Sequence, residues 1–214
     1  METPNQNAPE TQGENVIETA KINKKRIITG AIFVIAAAAA AMIWYVVNQN
    51  GARKADEAIA LADIEQNDSI ALQYYQDAAK LGHKSGERAK LQSAIALYDK
   101  GQYEQALSYL KDASTDSEII EAGRYSLMGD CYVNLKNYDE ALSAYKKAIS
   151  AADGNPQIVP FVLIKEANIY RAQQKYSDEY KAYKEIIDNY PQYWQNLRTD
   201  IRKYAERARV AAGE

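Results

Sequence analysis

A motif of small and large apolar residues recurs at intervals of 35 residues. The first copy spans residues 71–78 and reads Ala-Leu-x-x-Tyr-x-x-Ala, and related copies follow at residues 106–113 and 141–148. Residues at these spacings share one side of an α-helix. A fixed interval of roughly 20 to 50 residues indicates that the chain repeats one supersecondary unit. The spacing therefore predicts an array of helical hairpins, an architecture that binds other proteins.

The third unit carries the fullest pattern. It consists of Tyr125-x-x-Met128-Gly129-x-x-Tyr132, a turn at Asn137-Tyr138, and then Ala141, Leu142, Tyr145 and Ala148, with Pro156 after the second helix. Gly129 and Ala141 lack bulk where the two helices of a hairpin approach closely. Tyr132 and Tyr145 fill the space around that contact. The pattern resembles the tetratricopeptide repeat, in which an aromatic residue, Leu-Gly, Tyr, Ala, a second aromatic residue and Pro follow in this order.

The other units keep this pattern with departures. The second has Ala94, Leu97 and a turn at residues 100–103, but Lys90 stands where the opening aromatic residue is expected. The fourth follows at a spacing of 38, with on-pattern residues at Leu163, Ala167, Tyr170, Tyr183 and Pro191. It departs at Glu179, where a small residue is expected, which leaves the local packing open. The first unit lacks the Gly and Tyr signals and is interpreted as a degenerate end repeat.

The resemblance implies an all-α fold, a right-handed α-solenoid of tetratricopeptide-type hairpins with a C-terminal capping helix, and the apolar segment before it predicts a single N-terminal transmembrane helix. The alternative is a plain helical bundle with chance similarity. The predicted segments are a disordered cytoplasmic tail (1–26), a transmembrane helix (27–47), a repeat array (51–191) and a C-terminal capping segment (192–214). Within the array, the four hairpins are predicted at about 52–82, 86–115, 118–151 and 157–191. The capping helix itself is predicted from about 193 to 210.

Residues 27–47 contain no charged side chain. At about 1.5 Å per residue a helix of this length spans roughly 31 Å, which matches the apolar core of a bilayer. Positive charges are denser before this segment, at residues 21–26, than after it, at residues 53–54. This asymmetry predicts a cytoplasmic N-terminus and a repeat domain on the other side of the membrane. A cleavable signal peptide is the alternative, because residues 36–41 are all alanine and offer cleavage sites.

Charge and composition exclude several classes of function. The net charge is −3, and no basic face for nucleic acid is present. The last helix has a local basic excess, interpreted as a solvated face or as contact with anionic lipid or an acidic partner. One cysteine, Cys131, allows no internal disulfide and is interpreted as a buried residue, with a redox role as the alternative. We predict no cofactor, no metal and no small-molecule substrate, and therefore no enzyme.

One histidine, His83, is expected in a surface connection between repeats and supplies no zinc site or nucleophile system. The chain also has no glycine-rich phosphate-binding motif. Acidic residues are plentiful, but the pairs at 139–140 and 178–179 stand at the starts of second helices, where negative charge favours the helix dipole.

The resemblance also implies where a partner binds, because the first helices of successive hairpins line a concave groove. Carried over repeat by repeat, the predicted protein-binding groove consists of Arg88, Leu91, Ile95, Tyr98 and Asp99, then Gly123, Ser126, Asp130, Val133 and Asn134, and then Phe161, Ile164, Asn168, Arg171 and Ala172. The clamp that binds C-terminal carboxylates in some family members is disfavoured, because Lys and Asn are missing from the matching positions. The apolar positions suit an amphipathic helix or an extended segment. Alternatively, Leu91 and Ile95 simply pack against a neighbouring helix.

The layout of tail, anchor and repeat domain resembles the membrane-anchored ancillary subunit of the SecYEG translocon, whose repeat domain is related to that of a periplasmic cell-division coordinator. This resemblance implies a single-pass inner-membrane protein with a cytoplasmic N-terminus and a periplasmic repeat domain. It also implies a non-enzymatic scaffold that assists secretion or folding of translocated proteins near the secretion channel. The implied partners are translocon subunits, periplasmic folding factors or client polypeptides. A cell-envelope or cell-division scaffold is the alternative.

Overall fold

The computed structural model describes residues 11–195 and 200–213, which form helices joined by turns, with no strand in these ranges. The helices are α1 (Thr11–Ile64), α2 (Asp68–Lys80), α3 (His83–Asp99), α4 (Tyr103–Asp112), α5 (Glu118–Asn134), α6 (Tyr138–Ala151), α7 (Ile158–Ala172), α8 (Tyr176–Asn189), α9 (Pro191–Gln195) and α10 (Ile201–Ala211). The all-α prediction is confirmed. The chain divides into two compact units, Met1–Asn50 and Gly51–Glu214.

The first unit consists of the N-terminal part of α1. This helix is long and apolar enough to cross a membrane, and its apolar side chains from Ile27 to Val47 are exposed. The predicted disordered tail differs from the structure over residues 11–26, where the backbone is helical. Glu, Ala and Lys are good helix formers, and no proline lies between residues 11 and 26 to interrupt them. Residues 1–10 of the predicted tail lie outside the described residues.

In the second unit, each helix from α2 to α8 packs against the next one along the chain, and α3 with α5 and α5 with α7 also touch. Three hairpins turn in the same way. Gly101 (φ 73°), Lys136 (φ 62°) and Gln174 (φ 59°) adopt the left-handed conformation at the turns after α3, α5 and α7. In each turn, the backbone N–H of the residue after the left-handed one donates a hydrogen bond to a carbonyl oxygen in the last turn of the preceding helix. Asn137 N, for example, donates to Tyr132 O at 2.9 Å. The turn residues are 35 and 38 positions apart, like the sequence repeats.

The third hairpin shows why a small residue recurs in the pattern. A Cβ atom added to Gly129 would overlap the Tyr145 ring, so only glycine lets α6 approach α5 at this point. Ala141 is fully buried in the same hairpin. The predicted role of these two residues in close helix packing is therefore confirmed. The buried apolar residues of the described chain form four clusters, and each of them draws its members from at least two helices.

The first hairpin uses the last turns of α1, which ends at Ile64, and its second helix is α2. Ala55 and Ile59 of α1 pack with Ala78, Ala79 and Ala89 of α2 and α3. His83 was expected in a connection, but it begins α3 and lies beside Gly51. Gly82, at φ 72°, makes the turn into α3 instead.

The C-terminal end of the array explains the departure at Glu179. Its side chain is fully buried, and Oε1 accepts a hydrogen bond from Nη2 of Arg207 on α10 at 2.5 Å. The neighbouring rings of Tyr183 and Tyr204 stack with their centroids 5.9 Å apart. The capping helix begins at Ile201 rather than at about 193, because Asp200 caps it by accepting from the amide of Arg202 at 3.1 Å. Residues 196–199 lie outside the described residues.

Candidate functional site

The fifteen predicted groove positions lie on α3, α5 and α7, and we call the surface they form the first-helix face. Fourteen of them are exposed or half-buried, and only Ser126 is buried. Ile95 and Phe161 stand out as large apolar residues on this face, with 43% and 51% of their surfaces exposed. Large apolar residues are also exposed away from this face, as at Ile119 and Val210.

A hydrogen bond links the α3 and α5 parts of the face. Nδ2 of Asn134 lies 3.4 Å from the Tyr98 hydroxyl and 2.9 Å from the carbonyl oxygen of Asp130. The ring of Tyr98 packs edge-on against Tyr103, with centroids 5.4 Å apart. Burial raises the pKa of the Tyr98 hydroxyl, with the charge of Asp130 as the next cause. This hydroxyl is therefore neutral at physiological pH.

A charged cluster links the α5 and α7 parts of the face. Nζ of Lys165 lies 2.5 Å from Oδ2 of Asp130 and 3.2 Å from the Ser126 hydroxyl. The Tyr145 hydroxyl donates to Oδ1 of the same carboxylate at 2.6 Å. The ammonium also lies over the Phe161 ring, 4.6 Å from its centroid. We call these five residues the Asp130 cluster; within it, one positive and one negative charge cancel.

The environment of Tyr145 keeps it a hydrogen-bond donor. Burial, reinforced by the charge of Asp130, raises the pKa of its hydroxyl well above the usual range. Since a neutral phenol must donate to satisfy an ionised carboxylate, Tyr145 remains bound to Asp130 across physiological pH. The cluster is thus fixed from α6 as well as from α7.

Beside the cluster lies a pocket of about 230 Å³ between α5, α6 and α7. Val133, Ile169 and Ala172 supply its apolar lining, and Tyr138 and Tyr145 add aromatic surface. Lys165 and Asn168 complete it. We call it the α5–α7 pocket.

The structure does not bring every predicted groove residue into this region. Arg88 pairs with Asp63 of α1 at 3.2 Å, and Leu91 packs against the core of the second and third hairpins. The alternative that Leu91 is a packing residue therefore fits the structure, whereas Ile95 stays exposed. Arg88 and Leu91 also line a second pocket of about 420 Å³ near residues 114–117.

Lys165 and Tyr145 also contribute to the face, although the predicted groove positions do not include them. Lys165 lies one helical turn after Phe161 and three residues before Asn168, so a helical projection of α7 places it beside both. Tyr145 was assigned to packing, which it does with its ring, while its hydroxyl reaches Asp130. An amphipathic side chain of this kind serves two surfaces at once.

Cys131 and Glu166 are buried titratable side chains outside the Asp130 cluster. No group of three His, Cys, Asp or Glu side chains there could hold a metal ion. Cys131 is buried, and burial raises its pKa to about 12, so the thiol stays protonated and unreactive. Glu166 is buried on α7, at the position of Met128 in the preceding repeat. Burial raises its pKa to about 7, and its Oε1 has no hydrogen-bond partner within the described part of the chain.

The basic excess of the last helix is largely paired within the protein. Arg202 lies 3.2 Å from Asp200, Arg209 lies 2.7 Å from Glu206, and Arg207 binds Glu179. These pairs leave little free positive charge on α10 to attract an anionic surface.

Two family models match the chain: a tetratricopeptide repeat-like domain over residues 71–171 and a tetratricopeptide repeat over residues 162–193. The human protein O-mannosyl-transferase TMTC1 is 28% identical over 131 residues, which cover 59% of this chain but only 14% of that protein.

Two crystal structures of MamA share the fold. One has a TM-score of 0.55 and 15% identity and covers 78% of this chain and 83% of its own. The other has a TM-score of 0.51 and 17% identity, with coverages of 68% and 89%. The chain therefore contains tetratricopeptide-type repeats, which generally mediate protein–protein interactions.

Proposed function

We propose that this protein is a non-enzymatic scaffold, held at a membrane by residues 27–47, that binds other proteins on its first-helix face. The observation that carries the proposal is the exposure of predicted groove residues on three successive first helices, including Ile95 and Phe161. A partner bound on this face would bury these apolar residues, and their burial would contribute to its affinity.

The sequence supports a more specific role at the membrane. The dense positive charge at residues 21–26 favours a cytoplasmic N-terminus and a repeat domain on the other side. In that position the scaffold assists secretion or folding of translocated polypeptides near the secretion channel. Anchoring raises the effective concentration of the face for membrane-bound partners, so modest intrinsic affinity suffices. The transferase activity named for the human relative is not proposed, because the match covers so little of that protein.

Site-specific photo-crosslinking in native membranes tests the proposal. A photoreactive residue at Ile95 should form adducts with secretion-channel subunits, a membrane-bound folding factor or translocated polypeptides. The same residue at Glu104, which is exposed on the second helix of that hairpin, is the matched control. Adducts with soluble cytosolic proteins alone would contradict the role, and adducts of the chain with itself would favour an envelope or division scaffold.

Protease protection tests the orientation separately. An epitope placed after residue 214 should be digested when protease is added to intact spheroplasts. If the epitope is degraded only after the membrane is disrupted, the repeat domain lies in the cytoplasm and the proposed role fails.

A further inference from the structure

The α5–α7 pocket has the size of one amino-acid side chain. Its volume of about 230 Å³ is below the range of roughly 300 to 1,000 Å³ that is typical of small-molecule sites. Its lining is mainly apolar, from Val133, Ile169 and Ala172. A single aliphatic or aromatic side chain of a polypeptide is therefore the occupant that fits.

The charges beside the pocket cancel before any partner arrives. Asp130 is bound by the ammonium of Lys165 and the hydroxyl of Tyr145, and both charged side chains are only 21% exposed. Among the described residues that line the pocket, only Lys165 is charged, and its ammonium is already paired with Asp130. A cationic side chain would therefore find no free carboxylate, and an anionic one would have to compete with Asp130 for Lys165. Since burial of an unpaired charge is costly, the pocket favours an uncharged occupant.

Lys165 also fills a site that is suited to any ammonium or guanidinium group. The site offers a carboxylate, the Ser126 hydroxyl and the face of Phe161, which together are the groups that bind a desolvated cation. The Tyr145 ring adds a second aromatic face, with its centroid 5.8 Å from Nζ. Lys165 therefore occupies the position that a lysine or arginine of a partner would otherwise take.

The rim of the pocket offers a group that can bind a peptide backbone. The Asn168 side chain is exposed and carries no hydrogen bond to any residue that the structure describes. An amide provides both donors and an acceptor, which match the amide and carbonyl of an extended chain. This combination of a backbone partner and a side-chain pocket suits an extended segment.

We propose that the α5–α7 pocket binds one uncharged apolar side chain of an extended polypeptide. Lys165 determines this specificity because its ammonium occupies the cation site formed by Asp130, Ser126 and Phe161. This inference rests on the proposed binding of proteins by the first-helix face. It adds the chemical class of the bound side chain and the residue that excludes cationic ones.

A peptide selection with a matched set of variants tests the inference. The full chain in lipid nanodiscs is screened with a random dodecapeptide display library, against empty nanodiscs as background. The wild-type chain should enrich peptides with Leu, Ile, Met or Phe at a fixed position. Lys165→Met empties the cation site while keeping an unbranched side chain, and should raise the enrichment of Lys or Arg there at least tenfold. The double variant Lys165→Met, Asp130→Asn should lose this gain.

A second pair of variants locates the binding. Ala172→Trp should weaken binding of a synthesised selected peptide at least tenfold, because the ring fills the pocket from its exposed rim. Ser150→Trp adds the same ring at an exposed position of α6 and should leave affinity unchanged. The urea unfolding midpoint of each variant verifies that it is folded.

Three results would overturn the inference. If Lys165→Met lowers stability without changing peptide preference, Lys165 is a structural link between α5 and α7 and not a specificity determinant. If Ala172→Trp binds peptides like the wild type, the pocket is not the site. Failure to enrich any peptide also rejects the pocket. None of these results removes the scaffold proposal, which the photo-crosslinking experiment decides independently.

Discussion

Gly129 is the residue at which side-chain size matters most in the third hairpin. We expect Gly129→Ala to lower the free energy of unfolding by about 1 to 3 kcal/mol, because the added methyl group must displace the Tyr145 ring. The matched control is Gly123→Ala on the same helix, where no atom lies within 4 Å of the added Cβ. There we expect a gain of about 0.5 to 1 kcal/mol, since alanine is the better helix former. Urea unfolding measures both, and equal effects would contradict the packing role of Gly129.

Lys136 adopts a backbone conformation that favours glycine. Its φ is 62°, and Gly101 occupies the same position of the preceding hairpin at φ 73°. We expect Lys136→Gly to raise the free energy of unfolding by about 1 kcal/mol, because a left-handed conformation costs a residue with a Cβ about that much.

The control for Lys136→Gly is Ser108→Gly, at an exposed position inside α4. This change should lower stability by about 0.5 kcal/mol, since glycine is the poorer helix former. A thermal melt that moved in the same direction for both variants would contradict the assigned turn geometry.

At the scale of elements, α10 is fixed to α8 by an ion pair whose two side chains differ in solvent exposure. Glu179 is fully buried, whereas the Arg207 side chain is 46% exposed. Arg207→Ala leaves a buried carboxylate without its partner, and we expect a loss of about 2 kcal/mol, less than for a pair buried on both sides. Glu179→Ala restores the small residue of the repeat pattern and frees Arg207 to solvent, so its cost should be smaller.

A double-mutant cycle with urea unfolding separates the two contributions. The double variant should be more stable than Arg207→Ala alone, because the unpaired carboxylate is gone. If Arg207→Ala proves neutral, the buried carboxylate finds another partner and the pair does not hold the cap.

Helix α7 carries a titratable group whose burial makes stability depend on pH. Glu166 has a pKa of about 7 in the folded protein, raised first by burial, with Lys146 of α6 lowering it and Glu185 of α8 raising it. In the unfolded chain a glutamate titrates near 4.3. Between these values the folded state binds more protons, so the free energy of unfolding falls as pH rises from about 4.5 to above 7.

The variant Glu166→Gln tests this dependence. It should match the wild type below pH 4.5 and exceed it by about 3 kcal/mol at pH 8, where the wild type must bury a carboxylate. Urea unfolding at several pH values gives the difference between the two proteins. A difference that does not change with pH would show that the Glu166 carboxyl is solvated.

At the scale of the molecule, much of the repeat architecture could be predicted from sequence. The hairpins could be predicted because small and aromatic residues must recur wherever two helices approach, as Gly129 and Tyr145 do. The end of the array could not, because Glu179 departs from the pattern and its partner lies 28 residues further along the chain. The start of α10 also differs from the prediction. Basic residues lie on both sides of Asp200 in the sequence, so their pattern does not mark the residue that caps the helix.

The candidate site was predictable only in part. The repeat pattern indicates which side of α3, α5 and α7 forms a common face, and fourteen of the fifteen positions are at least partly exposed. It does not indicate which side chains meet across helices. The contacts of Lys165 and Tyr145 with Asp130 depend on distances between elements, which the spacing along one chain does not specify.

The repeat unit should fold without the N-terminal segment. The clusters of buried apolar residues found in the described chain all draw their members from Ala55 onward. A chain cut to residues 51–214 should therefore unfold at the same urea concentration as the full chain in nanodiscs, as followed by circular dichroism. Aggregation or a lower midpoint would contradict this expectation.

The pair of Glu179 and Arg207 also restricts how the array can grow by duplication. A further repeat inserted after α8 would place its own first helix where α10 lies, and without a cation at the right position it would cover a bare carboxylate. The corresponding positions of the second and third repeats are the fully buried Ala106 and Ala141, which carry no charge that needs a partner. We therefore expect an added repeat to be better tolerated in the middle of the array than after α8, where it would separate Glu179 from Arg207.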